Sequence, residues 1–269
     1  MQSPEQSSGV RIAARIGSCL SAAAREVAVA DVRIGLGYTA VLLADGRTGV
    51  AYTFRDEARG GCSVFTGLRP LSGRPAADLL ALLESHDAIE AGVGLACANA
   101  LANRNEIEHL KGDILEHLDV RPKDDVAMVG YFGPLVKALR KRSRSLTIFE
   151  RVAAPTELLR PQEEALAALP RCQIVLLTAT SIINHTLDGL LDAARGCRQV
   201  AVLGPSTPLL AEAFSTTGVT LLSGVVVIAA DEVLRVVSEG GGMRQFSRHV
   251  RKVSTKAGTL APTFERSIP

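Results

Sequence analysis

The sequence of 269 residues contains no tryptophan, and its aromatic content is only 4%. Hydrophobic residues nevertheless make up 47% of the chain. The core must therefore be aliphatic, built from valine, leucine, isoleucine and alanine. This composition favours parallel strands that helices bury on both faces. A chain of this length accommodates one large domain or two modest ones.

Neither sign of charge is in large excess. The formal net charge is only +2, so no global attraction draws the protein to nucleic acid or to anionic lipid. No uninterrupted apolar run approaches the roughly 20 residues that span a bilayer. The opening segment lacks the basic stretch and apolar stretch of a secretory signal. We therefore expect a cytoplasmic protein without a membrane span.

The five cysteines are scattered and include no C-x-x-C pair. This spacing indicates neither a disulfide framework nor a zinc knuckle, and it agrees with a reducing cytoplasm. Soft metals prefer clustered Cys, Met or His side chains, which the sequence does not show. A metal site assembled by folding stays open, for example from Cys62, Cys97 or His185 meeting across a cleft between domains.

The first part of the chain mixes helical and strand-like patterns. Residues 7–28 carry apolar side chains at helical spacing, and residues 38–54 form two extended runs joined by a glycine-containing turn, which is typical of a hairpin. Two further helical patterns cover residues 76–84 and 88–102. This order predicts a small α+β domain over residues 1–120.

From residue 126 onward, short β-branched or leucine-rich runs alternate with helix-sized segments. This alternation predicts βαβ crossovers, and hence a doubly wound parallel sheet of Rossmann-like type in a second domain over residues 121–269. A helical stretch to about Val253 and a polar tail are expected to close the chain. The predicted strands cover residues 126–130, 146–150, 174–178, 200–204 and 219–224.

Ligands of open α/β sheets bind where strands end and helices begin. Gly130 ends the first predicted strand, and Pro134 suits the first turn of the next helix. Glu150 ends the second strand, at the distance where dinucleotide-binding folds place an acidic ribose ligand. The segment after Gly130 is not G-x-G-x-x-G, however. A nucleotide cofactor therefore competes there with a structural turn or with another ligand.

Polar residues also follow the next two strands. Ser181 is a candidate helix N-cap beyond the third strand, and Asn184 could project toward the crevice, although capping alone explains both equally well. The fourth strand ends at Gly204, and Thr207 stands in capping position before Pro208, which suits the start of a helix. Exposed amides at such a helix start predict contact with an anion.

Two basic clusters raise the question of nucleic-acid binding. Both fall on predicted helices, and few aromatic side chains accompany them. A solvated helix face is the better interpretation, and we expect no nucleic-acid partner. The clusters are Lys137, Arg140, Lys141, Arg142 and Arg144, and Arg244, Arg248, Arg251 and Lys252.

Several of these segments occur in a known family. They are residues 35–41, 98–100, 128–132, 148–151, 184–187 and 204–208. With them the chain resembles the family described as "putative heavy-metal chelation", from about residue 10 to residue 253. The resemblance implies a small domain with an enolase-N-terminal-like fold, followed by a Rossmann-like domain.

The resemblance implies that the protein binds or handles a heavy metal, or a small anionic chelator of one, in a cleft at the strand ends. The expected ligand is thus a transition metal or a metal chelate. An enzyme that uses the same cleft for a small anionic substrate or a nucleotide-type cofactor is the alternative. No motif supports a reaction class or catalytic residues. A homodimer is plausible for an α/β protein, but no feature of the sequence establishes one. The expected ligand-binding residues are Gly130, Phe132, Glu150, Thr178, Ser181, Asn184, Thr186, Gly204, Pro205, Ser206 and Thr207.

Overall fold

A computed structural model of the chain describes residues 11–58, 65, 67, 69–151, 155–156 and 158–258. It contains a three-stranded antiparallel sheet and a seven-stranded, mostly parallel sheet. The predicted combination of a small α+β part with a Rossmann-like sheet is therefore confirmed. We call the two parts the N-terminal unit (residues 11–102) and the C-terminal unit (residues 125–256).

In the N-terminal unit, α3 (Ala88–Ala102) packs against the antiparallel sheet, and the two other helices pack against α3. Its most apolar helix is α3, which Asp87 caps by accepting hydrogen bonds from the backbone N–H groups of Ile89 and Glu90. No helix in the described residues is long and apolar enough to cross a membrane. The elements are α1 (Ile12–Arg25), β1 (Val29–Ile34), β2 (Tyr38–Leu43), β3 (Thr48–Tyr52), α2 (Ala76–Leu80) and α3 (Ala88–Ala102).

The C-terminal unit alternates strands with helices. Nearly every residue of its central strands is apolar and buried, as expected of parallel strands that helices cover on both faces. Its strands are β4 (Asp125–Val129), β5 (Ser145–Glu150), β6 (Leu159–Pro161), β7 (Ile174–Thr178), β8 (Gln199–Leu203), β9 (Leu221–Val227) and β10 (Val250–Lys256). Its helices are α4 (Gly133–Arg142), α5 (Ala165–Ala168), α6 (Leu187–Ala193), α7 (Ala230–Ser238) and α8 (Met243–Phe246).

The order of strands in the large sheet is β10-β9-β8-β7-β4-β5-β6. The chain starts in the middle with β4, adds β5 and β6 on one side, and then crosses back to add β7, β8 and β9 on the other. The six strands β4 to β9 therefore follow the order 3-2-1-4-5-6 of dinucleotide-binding folds. The direction of winding reverses between β4 and β7, which makes the loops after these two strands the topological switch point.

The end of the chain differs from the prediction. The helical stretch expected to reach Val253 ends at Phe246, and β10 pairs antiparallel with β9 over seven residues. Gly240, with a φ of 76°, and two further glycines interrupt the helical pattern after α7. The second basic cluster consequently lies on a short helix, a 3₁₀ turn and an edge strand. It does not form one helix face.

A nearly buried ion pair joins β4 to β8 at the end of the sheet opposite the switch point. Asp124 is 3% exposed and accepts hydrogen bonds from the Arg198 guanidinium at 2.6 and 3.0 Å and from the Arg121 N–H at 2.7 Å. The hydrogen bonds from Arg198 hold the pKa of the Asp124 carboxyl below its ordinary value. Folding is therefore coupled to the ionisation of Asp124.

We expect Asp124→Asn to lower the free energy of unfolding by about 2–3 kcal/mol at pH 7, since hydrogen bonds to a charged group are lost. A depressed carboxyl stabilises the fold above its unfolded pKa of about 3.9 and loses this contribution as pH falls through the folded pKa. Urea unfolding at pH 7 and at pH 3 should show the gap shrinking. Asp119→Asn, at the exposed neighbour of the same Arg198, should change stability far less. An equal gap at both pH values would contradict this account.

Candidate functional site

Three strand ends meet around the ring of Phe132 at the switch point. Gly130 follows β4 with a φ of 91°, and a Cβ there would lie 2.9 Å from Cβ of Thr178, the last residue of β7. Gly204 follows β8 with a φ of 115°. A Cβ on either glycine would lie 3.6 Å from the Phe132 ring. The loops after β4, β7 and β8 are thus in contact, and four of the expected ligand-binding residues lie together there: Gly130, Phe132, Thr178 and Gly204.

Glu150 connects the neighbouring strand end to this group. Its Oε2 accepts a hydrogen bond from the Tyr131 N–H at 3.0 Å, and its Oε1 accepts one from the Arg151 N–H at 2.8 Å. The carboxylate therefore fixes the loop after β4 against the end of β5. One amide of that loop is already used by the protein itself. We call Gly130, Phe132, Glu150, Thr178, Thr180 and Gly204 the strand-end site.

The loop after β7 begins with a 3₁₀ helix, Ala179–Ile182, and the predicted N-cap is wrong. Thr178 is the N-cap, because its Oγ1 accepts a hydrogen bond from the Thr180 N–H. The hydroxyls of Thr178 and Thr180 lie 3.0 Å apart. Ser181 is buried and donates its hydroxyl to the carbonyl oxygen of Thr178. The accessible hydroxyls next to the end of β7 are therefore those of Thr178 and Thr180.

Asn184 and Thr186 form a turn just before α6. The side-chain oxygen of Asn184 accepts hydrogen bonds from the N–H of Thr186 at 3.3 Å and from its hydroxyl at 2.8 Å. No hydrogen bond among the described residues joins this turn to Gly130 or Gly204. Within the described part of the chain, Asn184 and Thr186 therefore make no hydrogen bond to the strand-end site.

The loop after β8 lacks the helix that was expected to start at Pro208. It runs irregularly from Pro205 to a 3₁₀ helix at Ala211–Phe214. In the first turn of a helix the N–H of Leu209 would have no backbone partner. Here it donates a hydrogen bond to the side-chain oxygen of Asn103 at 2.7 Å. The predicted anion site at a helix start therefore does not exist at this loop.

Ser206 and Thr207 face the N-terminal unit instead. They are 1% and 0% exposed. The Ser206 hydroxyl accepts a hydrogen bond from the N–H of Tyr52, at the end of β3, at 2.9 Å. The carbonyl oxygen of Thr207 accepts one from the Asn103 amide at 3.0 Å, while its buried hydroxyl has no partner among the described residues. Ser206 therefore joins the two units, and Thr207 is held by Asn103, the residue that follows α3.

The N-terminal unit also contacts the end of β5 beside the strand-end site. The Arg151 guanidinium pairs with Glu57 at 2.6 Å and lies 5.6 Å from the centre of the Phe54 ring. Phe54 in turn packs edge-on against Tyr52, with the ring centroids 5.1 Å apart. The ends of β5 and β8 therefore lie next to the residues that follow β3.

Sequence comparison places the chain in a family. A family model described as "Putative heavy-metal chelation" matches residues 113–256. The chain belongs to this family. A second model with the same description matches residues 18–102. The resemblance stated from the motifs is therefore confirmed over most of the chain.

Relatives of this family member come from distant organisms. An uncharacterised protein of Methanocaldococcus jannaschii is 26% identical over 226 residues, which cover 80% of this chain and 85% of the relative. A crystal structure from Desulfitobacterium hafniense has a TM-score of 0.75 at 25% identity and covers 90% of this chain and 98% of its own. One from Pyrococcus horikoshii has a TM-score of 0.81 at 24% identity and covers 91% and 99%. Both are described as proteins with unknown function from the DUF364 family, so they support the fold.

The family description directs attention to metal ligands. Within the described residues, no group of three or more His, Cys, Asp and Glu side chains could hold a metal ion. Cys97, one of three candidates from the sequence, is fully buried and donates its thiol to the Ala76 carbonyl, and burial raises its pKa to about 12. It therefore stays a protonated thiol, which is a poor ligand. Cys62 lies outside the described residues.

Proposed function

We propose that the protein binds a small anionic ligand, of the class of a carboxylate chelator or its metal complex, at the strand-end site. One observation carries this proposal. The winding of the large sheet reverses between β4 and β7, and the loops after these strands and β8 meet around Phe132. Ligands of open α/β sheets bind in the crevice at such a reversal. The family description supports a ligand connected with metals.

The local chemistry supports a ligand of negative charge. Helix α4 has ten residues and begins at Gly133, directly after the loop that carries Phe132. The N-terminus of a helix favours an anion by about 0.3–1 kcal/mol. Gly130 and Gly204 have no side chains, so Thr178 and the Phe132 ring pack close to the backbone there. The Glu150 carboxylate already accepts hydrogen bonds from two backbone N–H groups.

A nucleotide-type ligand is the second candidate, and one observation favours it. The strand order is that of dinucleotide-binding folds, and Glu150 ends the second strand of that order, where an acidic residue binds ribose hydroxyls. On this alternative Glu150 is a direct ligand. On the proposal above it only shapes the loop after β4.

Titration calorimetry with Ni²⁺, with citrate, and with the nickel–citrate complex tests the proposal. We expect saturable binding of citrate or of its nickel complex. Thr180→Val should weaken that binding about tenfold. It removes one hydrogen bond to a charged ligand, and a loss of about 1.4 kcal/mol in binding free energy raises the Kd tenfold. Thr147→Val, the same exchange in the middle of β5, should leave binding unchanged. Wild-type protein that binds none of these probes, nor the nucleotides below, would refute a ligand site at the strand ends.

Glu150→Gln separates the two candidates. Thermal-shift measurements with NAD⁺, ATP and S-adenosylmethionine accompany the calorimetry, since a ligand at a hundred times its Kd adds about 2.7 kcal/mol of stability. Loss of a nucleotide-induced shift in Glu150→Gln would favour the nucleotide. Unchanged or tighter citrate binding would favour the anionic chelator, because a repelling charge has been removed. Glu163→Gln, at an exposed glutamate elsewhere, is the matched control for charge.

A further inference from the structure

Two histidines lie side by side where the N-terminal unit meets the loop before α6. The ring centroids of His86 and His185 are 5.8 Å apart, and the planes of the rings are inclined by 71°. A transition metal lies about 2.1 Å from each imidazole nitrogen that binds it, so two rings on one ion have centroids roughly 5–6 Å apart. The pair therefore already has the spacing that a shared ion requires.

The hydrogen bond of His185 prepares one of its nitrogens for a metal. Its Nε2 lies 2.8 Å from the carbonyl oxygen of Ser85, which can only accept. In the neutral ring Nε2 therefore carries the hydrogen, and Nδ1 keeps a free lone pair. Metal-binding histidines typically donate their second N–H to a carbonyl or carboxylate in this way, which fixes the ring and its tautomer.

The backbone at His185 is unusual. Its φ of 57° makes it the one non-glycine residue with positive φ among those described. This conformation is uncommon for a residue with a side chain, and residues that adopt it cluster at functional sites. Here it carries the imidazole to Ser85 and His86 of the other unit. A side chain held in place by this uncommon conformation is evidence for a role of its own.

The pair borders an open groove of about 1200 Å³ between α1 and α6. Cys19, Asp188 and Glu212 also line the groove, yet no third side chain joins the histidines in a metal-binding arrangement within the described residues. An ion held by the two imidazoles would keep several coordination positions for water or for a small chelator. The groove has room for both.

We propose that His86 and His185 bind one divalent transition metal ion. Imidazole suits Cu²⁺, Ni²⁺ and Zn²⁺, and the affinity order of such sites makes Cu²⁺ the tightest of the three. This inference goes beyond the proposed function, because it concerns other residues and does not need a ligand at the strand-end site. The described residues contain no group of three or more His, Cys, Asp and Glu side chains that could hold a metal. The histidine pair would give this family member a direct metal contact without one.

Titration of the full chain with Cu²⁺ tests the site. Calorimetry measures the affinity and stoichiometry, and electron paramagnetic resonance identifies the ligands of the ion. We expect one ion per chain with hyperfine coupling to two imidazole nitrogens. His86→Asn and His185→Asn should each weaken binding at least tenfold, and the double variant should lose the two-nitrogen signal. Asparagine is chosen at position 185 because it tolerates the left-handed backbone and its amide can still donate to Ser85.

His117→Asn is the matched control. The Nε2 of His117 lies 2.7 Å from the Lys111 carbonyl, in the same arrangement as His185, but no second imidazole packs against it in the described part of the chain. Its removal should leave Cu²⁺ binding unchanged. Retention of the two-nitrogen signal in the double variant would overturn the proposal, as would an equal loss in His117→Asn. Glu150→Gln should leave this binding intact, which separates the metal site from the strand-end site.

Discussion

Replacing Gly49 with alanine is expected to lower the free energy of unfolding by about 3 kcal/mol or more. Gly49 lies in β3, where a Cβ would stand 2.1 Å from the N of Ala100 and 2.2 Å from the O of Ala96. Both atoms belong to the backbone of α3, so no side chain can move aside to make room. The helix must separate from the sheet, and the buried apolar face between them is lost. Urea unfolding followed by circular dichroism measures the effect.

Gly17→Ala provides the comparison. Gly17 lies in α1, and no atom stands within 4 Å of the position of its added Cβ. Alanine is about 1 kcal/mol better than glycine inside a helix, so this variant should be more stable than the wild type. Similar losses of stability in the two variants would show that the close approach of β3 and α3 does not decide the effect.

The elements that the sequence predicted well are those whose burial is uniform. The boundaries of α3 were predicted to the residue, and β7 likewise, because both are apolar on all sides. Runs of that kind end abruptly at polar residues or turns. By contrast, β6 has only three residues and no period to detect. The strand β10 lies at the sheet edge, and its mixture of basic and apolar residues also suits a helix.

The strand-end site was predictable in part, for a related reason. Gly130 and Gly204 follow central parallel strands and Thr178 ends one, and the ends of such strands must lie at one edge of the sheet. The loops beyond them depend on partners that are distant in sequence. Ser206 accepts a hydrogen bond from the Tyr52 N–H, so the loop after β8 contacts the N-terminal unit where the sequence predicted an anion site.

The contact between His86 and His185 shows the same limit of local reasoning. His185 alone carried no signal of a partner, because His86 is separated from it by about a hundred residues. The only local hint was the polar turn before α6. Positive φ at a histidine and its bond to Ser85 are properties of the folded chain. They could not be obtained from spacing.

The second large effect is expected at Asn103, which follows α3 and is 5% exposed. Its amide donates to the carbonyls of Thr207 and Val225 at 3.0 and 3.1 Å, and its oxygen accepts from the Leu209 N–H at 2.7 Å. Asn103→Leu leaves these three backbone groups unpaired in the interior. At about 1–3 kcal/mol for each, the free energy of unfolding should fall by about 4 kcal/mol.

The structure also predicts where the damage in Asn103→Leu begins. Among the described residues, Asn103 is the one side chain that bonds to both the loop after β8 and the strand β9, so amide hydrogen exchange should accelerate there first. Asn105→Leu removes one exposed bond of 3.3 Å to Val227 and should change stability by less than about 0.5 kcal/mol. Equal effects of the two substitutions would mean that the interior hydrogen bonds of Asn103 do not hold the two units together.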